Sequence, residues 1–412
     1  MTKKITQCRI SGDPNLVTVL NLGTQELTGV FPRDPAQRIT SGPLELVWSA
    51  KSQLLQLACS YDLGEMYGDN YGYRSGLNAS MVAHLTGKVA NLERKYGLTA
   101  GDCVIDIGSN DATTLKAYST KSIKRIGVDP TGRKFEKYYT DDIKLIADFF
   151  PTPELTSAIG RSKVKIITSI SMFYDLEDPI GFARAVAGVL DRDGIWHLEQ
   201  SYMPSMIRLN SYDTICHEHL EYYSLHSIQY VLERAGLKIV DVQMNGVNGG
   251  SFALTVTHED SSRAINRPVI DWLFEQELKM RFDTPAPFRA FEERVFSHRK
   301  ALRSLVEALN ADGKKVFGYG ASTKGNVVLQ FCEFSAREIP CVAEINPDKY
   351  GACTPGTHIP IVSDKEAAVM NPDYYLVLPW HFKDGIVRRE QEYLAKGGKL
   401  IFPFPEIEIV GG

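Results

Sequence analysis

Between residues 101 and 200 the chain alternates short apolar runs with segments of helical periodicity, and this pattern limits the fold more than any other feature. The apolar runs have the length of buried strands and lie at residues 103–108, 123–129, 143–147, 163–169 and 194–199. Because strands separated by helices pair in parallel, with helices on both faces, the pattern predicts a Rossmann-like α/β sheet. A later β-rich stretch, at residues 239–242 and 251–257, is expected to add a hairpin at one edge.

The rest of the sequence predicts further units on both sides of this sheet. With 412 residues, the chain is long for one hydrophobic core and suits two or three domains. Residues 1–75 are turn-rich with short alternating runs and predict a small β-rich unit, and residues 76–260 hold the parallel sheet. Residues 261–412 begin with a charged, periodic stretch that predicts linking helices, and continue as a second Rossmann-like α/β domain.

Composition and charge exclude several classes of protein. Hydrophobic residues at 43% and charged residues at 23% are ordinary for a globular chain, and a net charge of −4 without a basic run argues against a nucleic-acid partner. No apolar stretch has the length of a membrane span or the form of a signal peptide. Seven scattered cysteines favour reduced thiols, so a cytoplasmic location is expected. The sequence sets no oligomeric state.

The first strand of the series ends in a turn suited to a nucleoside ligand. Asp106 lies in the strand, and Gly108 permits a tight turn that brings the backbone close to a ligand. Asn110 lies just before a helix N-terminus, which offers free N–H donors. Asp129 ends the next strand, where an acidic side chain can bind both hydroxyls of a ribose.

Residues after the third and fourth strands complete this candidate site. Asp148 is suited to accept from an adenine amino group, Phe149 to pack on its ring, and Ser169 is the candidate on the fourth strand. A dinucleotide site would show Gly-x-Gly-x-x-Gly, whereas this turn has a single glycine, which favours S-adenosylmethionine over NAD because no pyrophosphate requires close backbone approach. The alternative is an arbitrary buried strand with a glycine turn, and three acids at three consecutive strand ends argue against it. The pattern predicts a methyltransferase fold.

A second polar cluster lies at residues 213–224 and contains the run His217-Glu218-His219. In an extended segment, residues i and i+2 point to the same side, so His217 and His219 could hold a metal together. One of them could instead be a proton-transfer base near neutral pH. The run by itself leaves both roles open.

Together these motifs resemble those of S-adenosylmethionine-dependent sugar C-methyltransferases of deoxysugar pathways. The resemblance covers nearly the whole chain and rests on the order and spacing of the motifs at residues 71–75, 106–111, 217–224, 249–251, 318–326, 355–361, 380–384 and 397–399. It implies a zinc-binding N-terminal unit, a cofactor domain and a C-terminal nucleotide-binding-like domain. It also implies methylation of a ring carbon, most plausibly C-3, beside the ketone of a nucleotide-linked 4-keto-6-deoxy sugar.

The chain departs from that family at its N-terminal metal site. The family has two Cys-x-x-Cys pairs, and here the corresponding residues are Cys8, Ser11, Ser49 and Ser52. Serine is a poor zinc ligand compared with thiolate, so no zinc is expected and the unit should keep its shape by packing.

Other departures lie near the chemistry. The residue before His217, often tyrosine in the family, is Cys216, and the chain has Gln200-Ser201-Tyr202 where some members have a histidine after the fifth strand. Ser171 and Asp175 replace an Asn-x-x-x-His pattern. These changes bear on substrate identity more than on reaction type.

The resemblance and the chemistry together assign roles in the cluster. Removal of a hydrogen beside a ketone requires a base within hydrogen-bond reach, and His219 is the candidate, with Glu218 or His217 orienting it or binding a sugar hydroxyl. Three tyrosines are candidates to hydrogen-bond the enolate oxygen or sugar hydroxyls: Tyr73, Tyr222 and Tyr223. Tyr71 and Cys216 are further candidates for substrate contact. The alternatives are a histidine that only packs a loop, a metal held by the two histidines, and a tyrosine pair that belongs to the core.

The second glycine turn, at residues 318–325, is a candidate for the sugar nucleotide. Ser322, Thr323 and Lys324 lie at the start of a helix, where N–H donors, hydroxyls and a cation could bind a pyrophosphate. Lys349 and His358 are further candidates for the same ligand, and the alternative is a packing unit with a vestigial site. Two rival functions stay open: methylation of oxygen or nitrogen on a similar sugar, and a catalytically silent sugar-nucleotide-binding protein.

Overall fold

The computed structural model describes residues 2–34, 36–67 and 73–411, and its first unit is an antiparallel sheet. The elements of this unit are β1 (Lys3–Lys4), β2 (Leu16–Glu26), β3 (Ser41–Ser49), β4 (Leu55–Leu57), β5 (Cys59–Ser60) and α1 (Leu63–Met66). β3 pairs antiparallel with both β2 and β4, and β1 pairs with β5. Leu20, Leu44 and Leu46 are fully buried, so the sheet has a packed apolar face.

A seven-stranded sheet follows, in the order β12-β13-β10-β9-β6-β7-β8. Its strands are β6 (Cys103–Ile107), β7 (Lys124–Val128), β8 (Ile143–Ile146), β9 (Val164–Ile170), β10 (Ile195–Ser201), β12 (Leu237–Asn245) and β13 (Ser251–His258), with β11 (Glu221–Tyr222) outside this sheet. The helices of this region are α2 (Ala79–Tyr96), α3 (Thr113–Lys116), α4 (Gly132–Phe135), α5 (Pro153–Ile159), α6 (Pro179–Val189), α7 (Met203–Arg208) and α8 (Leu225–Arg234). The five strands from β6 to β10 are parallel, and β13 runs antiparallel between β10 and β12.

The parallel strands read as continuous apolar runs because both faces of the sheet are covered. Ile105, Ile126 and Ile167 are fully buried on adjacent strands, as is Trp196 on β10. Parallel strands place their carboxyl ends at one edge, and the residues just after β6, β7 and β8 therefore lie together there.

A third sheet has six strands in the order β16-β15-β14-β17-β18-β19, of which β19 is antiparallel. Its strands are β14 (Val316–Tyr319), β15 (Val342–Glu344), β16 (Ile361–Ser363), β17 (Tyr374–Val377), β18 (Lys399–Phe402) and β19 (Glu408–Val410). Its helices are α9 (Arg267–Met280), α10 (Ala286–Ala311), α11 (Thr323–Phe331), α12 (Asp364–Val369), α13 (Lys383–Arg389) and α14 (Gln391–Ala395). The linking helices predicted for residues 262–310 are α9 and α10.

The first sheet is completed by residues far away in sequence. β11 pairs antiparallel with β4, so the segment after His219 becomes the fourth strand of the N-terminal sheet. The same N-terminal unit also contacts the C-terminal domain, since Asn326 Nδ2 of α11 donates to Thr28 O at 2.7 Å. The polar cluster at residues 213–224 therefore lies where all three units meet.

In the part of the chain that the structure describes, no helix combines the length and the apolar character that a membrane crossing requires.

Candidate active site

The turn after β6 has the backbone geometry of a close ligand approach. Gly108 has φ of 77°, and a Cβ added there would lie 3.1 Å from Met172 Cγ. Asn110 also has a positive φ, of 48°, and its backbone N–H donates to Asp129 Oδ2 at 2.7 Å. The turn is thus held against the end of the next strand, with Met172 above it.

Asp106 lies beneath this turn and is almost fully buried. Its Oδ1 accepts from Thr168 Oγ1 at 2.5 Å. Burial raises the pKa of Asp106 to about 7, and the hydroxyls of Thr168 and Thr114 oppose that rise. Asp106 therefore links β6 to β9 under the turn.

The two acids on the neighbouring strands reach the same edge. Asp129 Oδ1 accepts from Thr131 N and Oγ1 at 2.7 and 2.6 Å, and burial raises the pKa of this carboxyl. Asp148 is exposed and accepts from Phe149 N at 2.8 Å, and the Phe149 ring is 47% exposed. An exposed ring beside an acid, next to a second acid at a bare glycine turn, fits the adenosine part of S-adenosylmethionine.

A short segment before α2 covers the turn from outside. Asn110 Oδ1 accepts from Ser75 N at 3.0 Å, and its Nδ2 donates to Tyr73 O at 3.2 Å. The Tyr73 side chain is 49% exposed at this position, and Tyr71 lies outside the described residues. Ser169 is buried and its hydroxyl accepts from Trp196 Nε1 at 2.8 Å, so its side chain is used within the core.

His219 is held in one tautomer. Its Nδ1 lies 2.8 Å from Thr214 O, and because a carbonyl can only accept, Nδ1 carries the hydrogen and Nε2 keeps its lone pair. The ring packs on Tyr174, with centroids 4.2 Å apart. Desolvation, and then the charge of Lys324, lower the pKa of His219 to about 3, so the ring is neutral at physiological pH. This pKa is well below the near-neutral value expected for a proton-transfer base.

Acidic side chains lie beside His219. Desolvation raises the pKa of both Glu218 and Asp175, and the charge of Glu218 adds to the rise at Asp175. Asp175 Oδ2 accepts from Tyr67 OH at 2.7 Å. Asp175 Oδ1 and Glu218 Oε2 have no hydrogen-bond partner among the described residues. The Cys216 thiol hydrogen-bonds to the Glu218 side chain. Burial raises the pKa of this thiol well above the usual value.

Gly29 of the N-terminal unit borders the same carboxylate. A Cβ added at Gly29 would overlap Glu218 Oε1 and would lie 3.6 Å from Thr323 Oγ1. The absence of a side chain at Gly29 therefore makes room for Glu218, and sequence reasoning did not find this residue.

His217 contacts different neighbours from His219. Its Nε2 is 3.5 Å from Gly42 O, and its ring meets the edge of Tyr61 at 4.6 Å between centroids. Burial lowers the pKa of His217 to about 4. His217 thus packs against the N-terminal unit. In the part of the chain that the structure describes, no group of three or more His, Cys, Asp or Glu side chains is placed to hold a metal.

The two predicted tyrosines after the cluster are both buried but face different surroundings. The charges of Cys216 and Asp175 act on Tyr222, which places its ring beside the cluster. Tyr223 packs on Phe173, with centroids 5.4 Å apart, in the core of the seven-stranded sheet. Tyr223 OH has no hydrogen-bond partner among the described residues.

The second glycine turn brings Lys324 next to the polar cluster, and the region bounded by residues 213–219, Trp380 and Lys324 is called the cleft. Lys324 Nζ donates to Asn248 O at 3.0 Å, and desolvation lowers its pKa while the charge of Asp213 opposes that change. Ser322 caps α11 by accepting from Gly325 N at 3.0 Å.

The other predicted residues of the C-terminal domain lie at the turn or on the surface. Lys349 Nζ donates to Ala321 O at 2.7 Å and lies over the Phe31 ring. His358 is exposed in a turn, with φ of 52°.

Sequence reasoning gave no role to three further residues of the cleft: Asp213, Trp380 and His381. Asp213 Oδ2 accepts from Trp380 Nε1 at 2.8 Å, and a Cβ at Gly249 would lie 3.0 Å from the Trp380 ring. His381 follows Trp380, and desolvation together with the charge of Lys324 lowers its pKa to about 3. The motif at residues 380–384 was the available signal, but nothing local in it indicates which side chain faces the cleft.

The four residues that correspond to the zinc ligands of the family lie close together in the N-terminal unit, but their side chains are not suited to bind zinc. Cys8 Sγ is 3.2 Å from Ser52 Oγ, and Ser11 Oγ is 3.4 Å from Ser49 Oγ. One thiol and three neutral hydroxyls do not form a thiolate cage. Hydrogen bonds between these side chains occupy the position of the cage.

Three protein-family models match the chain in order. A zinc binding domain model matches residues 8–67, a methyltransferase domain model residues 81–242, and the C-methyltransferase C-terminal domain model residues 246–405. The C-methyltransferase NovU of Streptomyces niveus is 30% identical over 414 residues, which cover 100% of this chain and 98% of that protein.

Solved structures of methyltransferases resemble part of the chain. An S-adenosylmethionine-dependent methyltransferase from Clostridium acetobutylicum is 11% identical with a TM-score of 0.33, over 43% of this chain and 92% of that chain. One from Aquifex aeolicus is 16% identical with a TM-score of 0.31, over 43% of this chain and 97% of that chain. Scores this low carry no argument by themselves.

The strand order and the family match together decide the fold and the family. The predicted class I methyltransferase domain, flanked by a β-rich unit and a C-terminal Rossmann-like domain, is confirmed, as is S-adenosylmethionine as cofactor. The chain belongs to the C-methyltransferase family and is an S-adenosylmethionine-dependent C-methyltransferase.

Proposed function

We propose that this enzyme methylates a ring carbon, C-3, beside the ketone of a nucleotide-linked 4-keto-6-deoxy sugar. The observation that carries the proposal is the state of His219. Its Nδ1–H is held by Thr214 O at 2.8 Å, and its Nε2 lone pair is free to take a proton. Carbon methylation beside a ketone needs such a base. Methylation of an oxygen or nitrogen can use the same base, and the match to C-methyltransferases favours carbon as the acceptor.

The side chains around His219 support a polyhydroxylated substrate. Glu218 and Asp175 each present a carboxylate oxygen that has no hydrogen-bond partner among the described residues. Burial raises the pKa of both carboxyls. Tyr222 OH, beside Cys216 and Asp175, provides a third polar group. This set suits sugar hydroxyls better than an apolar ring.

Contacts between neighbouring residues connect the proposed cofactor site to His219. S-adenosylmethionine, held through the turn at Gly108 and the carboxylates of Asp129 and Asp148, supplies the methyl group. Met172 lies over Gly108, and the adjoining residues Phe173 and Tyr174 lead to the His219 ring. Much of the rate is expected from holding the two carbons in line.

Turnover with a panel of dTDP-, GDP- and CDP-linked 4-keto-6-deoxy sugars tests the proposal. We expect one of them to gain a methyl group on carbon, and to take up solvent deuterium beside the ketone when S-adenosylhomocysteine replaces the methyl donor. Methylation on oxygen or nitrogen, or binding of sugar nucleotides without any turnover, would reject the proposal.

A single substitution tests the base. His219→Asn is expected to lower the deuterium uptake rate by about 100-fold or more, since general base catalysis contributes about 10²–10⁴-fold. The matched control is His226→Asn, which changes an exposed histidine on α8 and should exchange at the wild-type rate. Exchange by His219→Asn at the wild-type rate would remove His219 from this role.

A further inference from the structure

Lys324 borders the cleft and has N–H donors that are not used in hydrogen bonds to the described residues. It lies in the first turn of α11, and its Nζ donates to Asn248 O at 3.0 Å. An ammonium group has three N–H donors. Among the described residues, Asn248 O is the acceptor that is hydrogen-bonded to Lys324 Nζ. Two donors are therefore available to a ligand.

A chain of contacts brings Lys324 and His219 into one cleft. His219 is held by Thr214 O, and the preceding residue, Asp213, is held by Trp380 Nε1 at 2.8 Å. Trp380 in turn lies against the turn that contains Asn248, the partner of Lys324. These contacts place Lys324 and His219 on the two sides of Trp380, and the charge of Lys324 adds to desolvation in lowering the pKa of His219.

The proposed reaction requires, besides the base, a group that stabilises the negative charge of the enolate. When a hydrogen is removed beside a ketone, negative charge develops on the ketone oxygen, and a preorganised donor or cation there stabilises the transition state. We propose that Lys324 Nζ donates to the ketone oxygen and holds the charge of the enolate, an inference that rests on the proposed function. Lys324 is then a catalytic residue.

The step balances without a further reactant. The carbon–hydrogen bond beside the ketone breaks, and its proton passes to His219 Nε2. Its electron pair forms the carbon–carbon π bond of the enolate, while the carbonyl π pair moves onto the oxygen. A Lys324 N–H donates to that oxygen before and after the change, and the negative charge makes this hydrogen bond stronger.

The contacts of the second glycine turn argue against the other role, that of a pyrophosphate ligand. Ala321 N donates to Glu344 Oε2 at 2.8 Å, so a buried carboxylate lies at the turn. Lys349 is used by Ala321 O, and Ser322 Oγ is used as the helix cap. A carboxylate beside a phosphate would repel it, and fewer donors remain for one.

Lys324→Met in the full-length enzyme separates the two roles. We expect deuterium uptake beside the ketone and methyl transfer both to fall by about 10²–10³-fold, with KM for the sugar nucleotide changed by less than about threefold. The affinity for the free nucleoside diphosphate, dTDP for a dTDP-sugar, should stay at the wild-type value. Lys365→Met, at an exposed lysine of α12, is the matched control and should match wild type in all four measurements.

Three results would overturn the inference. A tenfold or greater loss of dTDP affinity with kcat retained would make Lys324 a pyrophosphate ligand, and wild-type exchange by Lys324→Met would leave it no role in enolate formation. If wild type exchanges no hydrogen in any ketosugar of the panel, the proposed function fails as well. Binding of S-adenosylhomocysteine verifies that the variant is folded, and Lys324→Gln is judged by the same criteria where Lys324→Met does not fold.

Discussion

Replacing Ser11, Ser49 and Ser52 together with cysteine is expected to create a zinc site around Cys8. The two contacts in this cluster measure 3.2 Å, from Cys8 Sγ to Ser52 Oγ, and 3.4 Å, between the hydroxyls of Ser11 and Ser49. With zinc–sulfur bonds of about 2.3 Å, the sulfur atoms of a tetrahedral site are about 3.8 Å apart. The side-chain atoms would therefore have to separate by roughly 0.5 Å, a shift that rotation about χ1 can supply.

The expected free energy of zinc binding is large compared with the cost of moving these side-chain atoms. Structural zinc sites bind with about 10–16 kcal/mol at neutral pH, so a site that loses about 3 kcal/mol to strain would still bind zinc with a dissociation constant of about 10 μM or below. Free zinc at about 100 times the dissociation constant would then stabilise the folded state by about 2.7 kcal/mol.

Metal analysis and thermal unfolding, with and without a chelator, measure both quantities. The triple variant should hold one equivalent of zinc and unfold at a lower temperature when chelator is added, whereas the wild-type protein should hold none and unfold at the same temperature either way. Adding Cys8→Ser to the triple variant is the control and should weaken zinc binding. A folded triple variant without zinc would refute the geometric argument, and one equivalent of zinc in the wild-type N-terminal unit would refute the loss of the site.

Three further predictions concern the cleft and its support. Trp380→Phe removes the indole N–H that a buried carboxylate accepts at 2.8 Å, and urea denaturation should report a loss of about 1–3 kcal/mol in the free energy of unfolding; an unchanged value would mean that this bond adds no stability. Gly29→Ala places a methyl group on Glu218 Oε1, so turnover should fall while S-adenosylhomocysteine affinity is kept, and Gly188→Ala, which meets no atom within 4 Å, is the control; equal turnover by the two variants would contradict the packing argument. Because the pKa of His219 is about 3, below the ordinary 6.5, the ring stays neutral as pH falls from about 8 to about 5, and deuterium uptake should keep its rate over that interval; a rate that halves near pH 6.5 would show a base with an ordinary pKa.

The sequence was a good guide to the parallel sheet. The five apolar runs between residues 101 and 200 correspond to β6 through β10, and the expected edge hairpin is β12 and β13. Those elements follow from local pattern, since a strand buried on both faces must be apolar along its length. The turn at Gly108 and the acid at Asp129 could be located for the same reason, because both are adjacent to strands that the pattern defines.

The N-terminal sheet was less accessible to sequence reasoning. Its fourth strand, β11, is two residues long and pairs with β4 across more than 150 positions of the chain. So short a strand has no periodicity of its own. Its existence depends on the partner strand, which local sequence does not identify.

For the polar cluster too, the sequence identified the side chains but not their contacts. Sequence determined which side chains could do the chemistry, because a base, carboxylates and a cation of the required types stand in recognisable motifs such as His217-Glu218-His219. Tertiary structure decided their surroundings: His217 turns to the N-terminal unit, while His219 is fixed by Thr214 O. It also decided that Lys324, more than 100 residues later, acts on His219. Contacts over such separations come from the packing of whole units, and no local propensity in either segment encodes them.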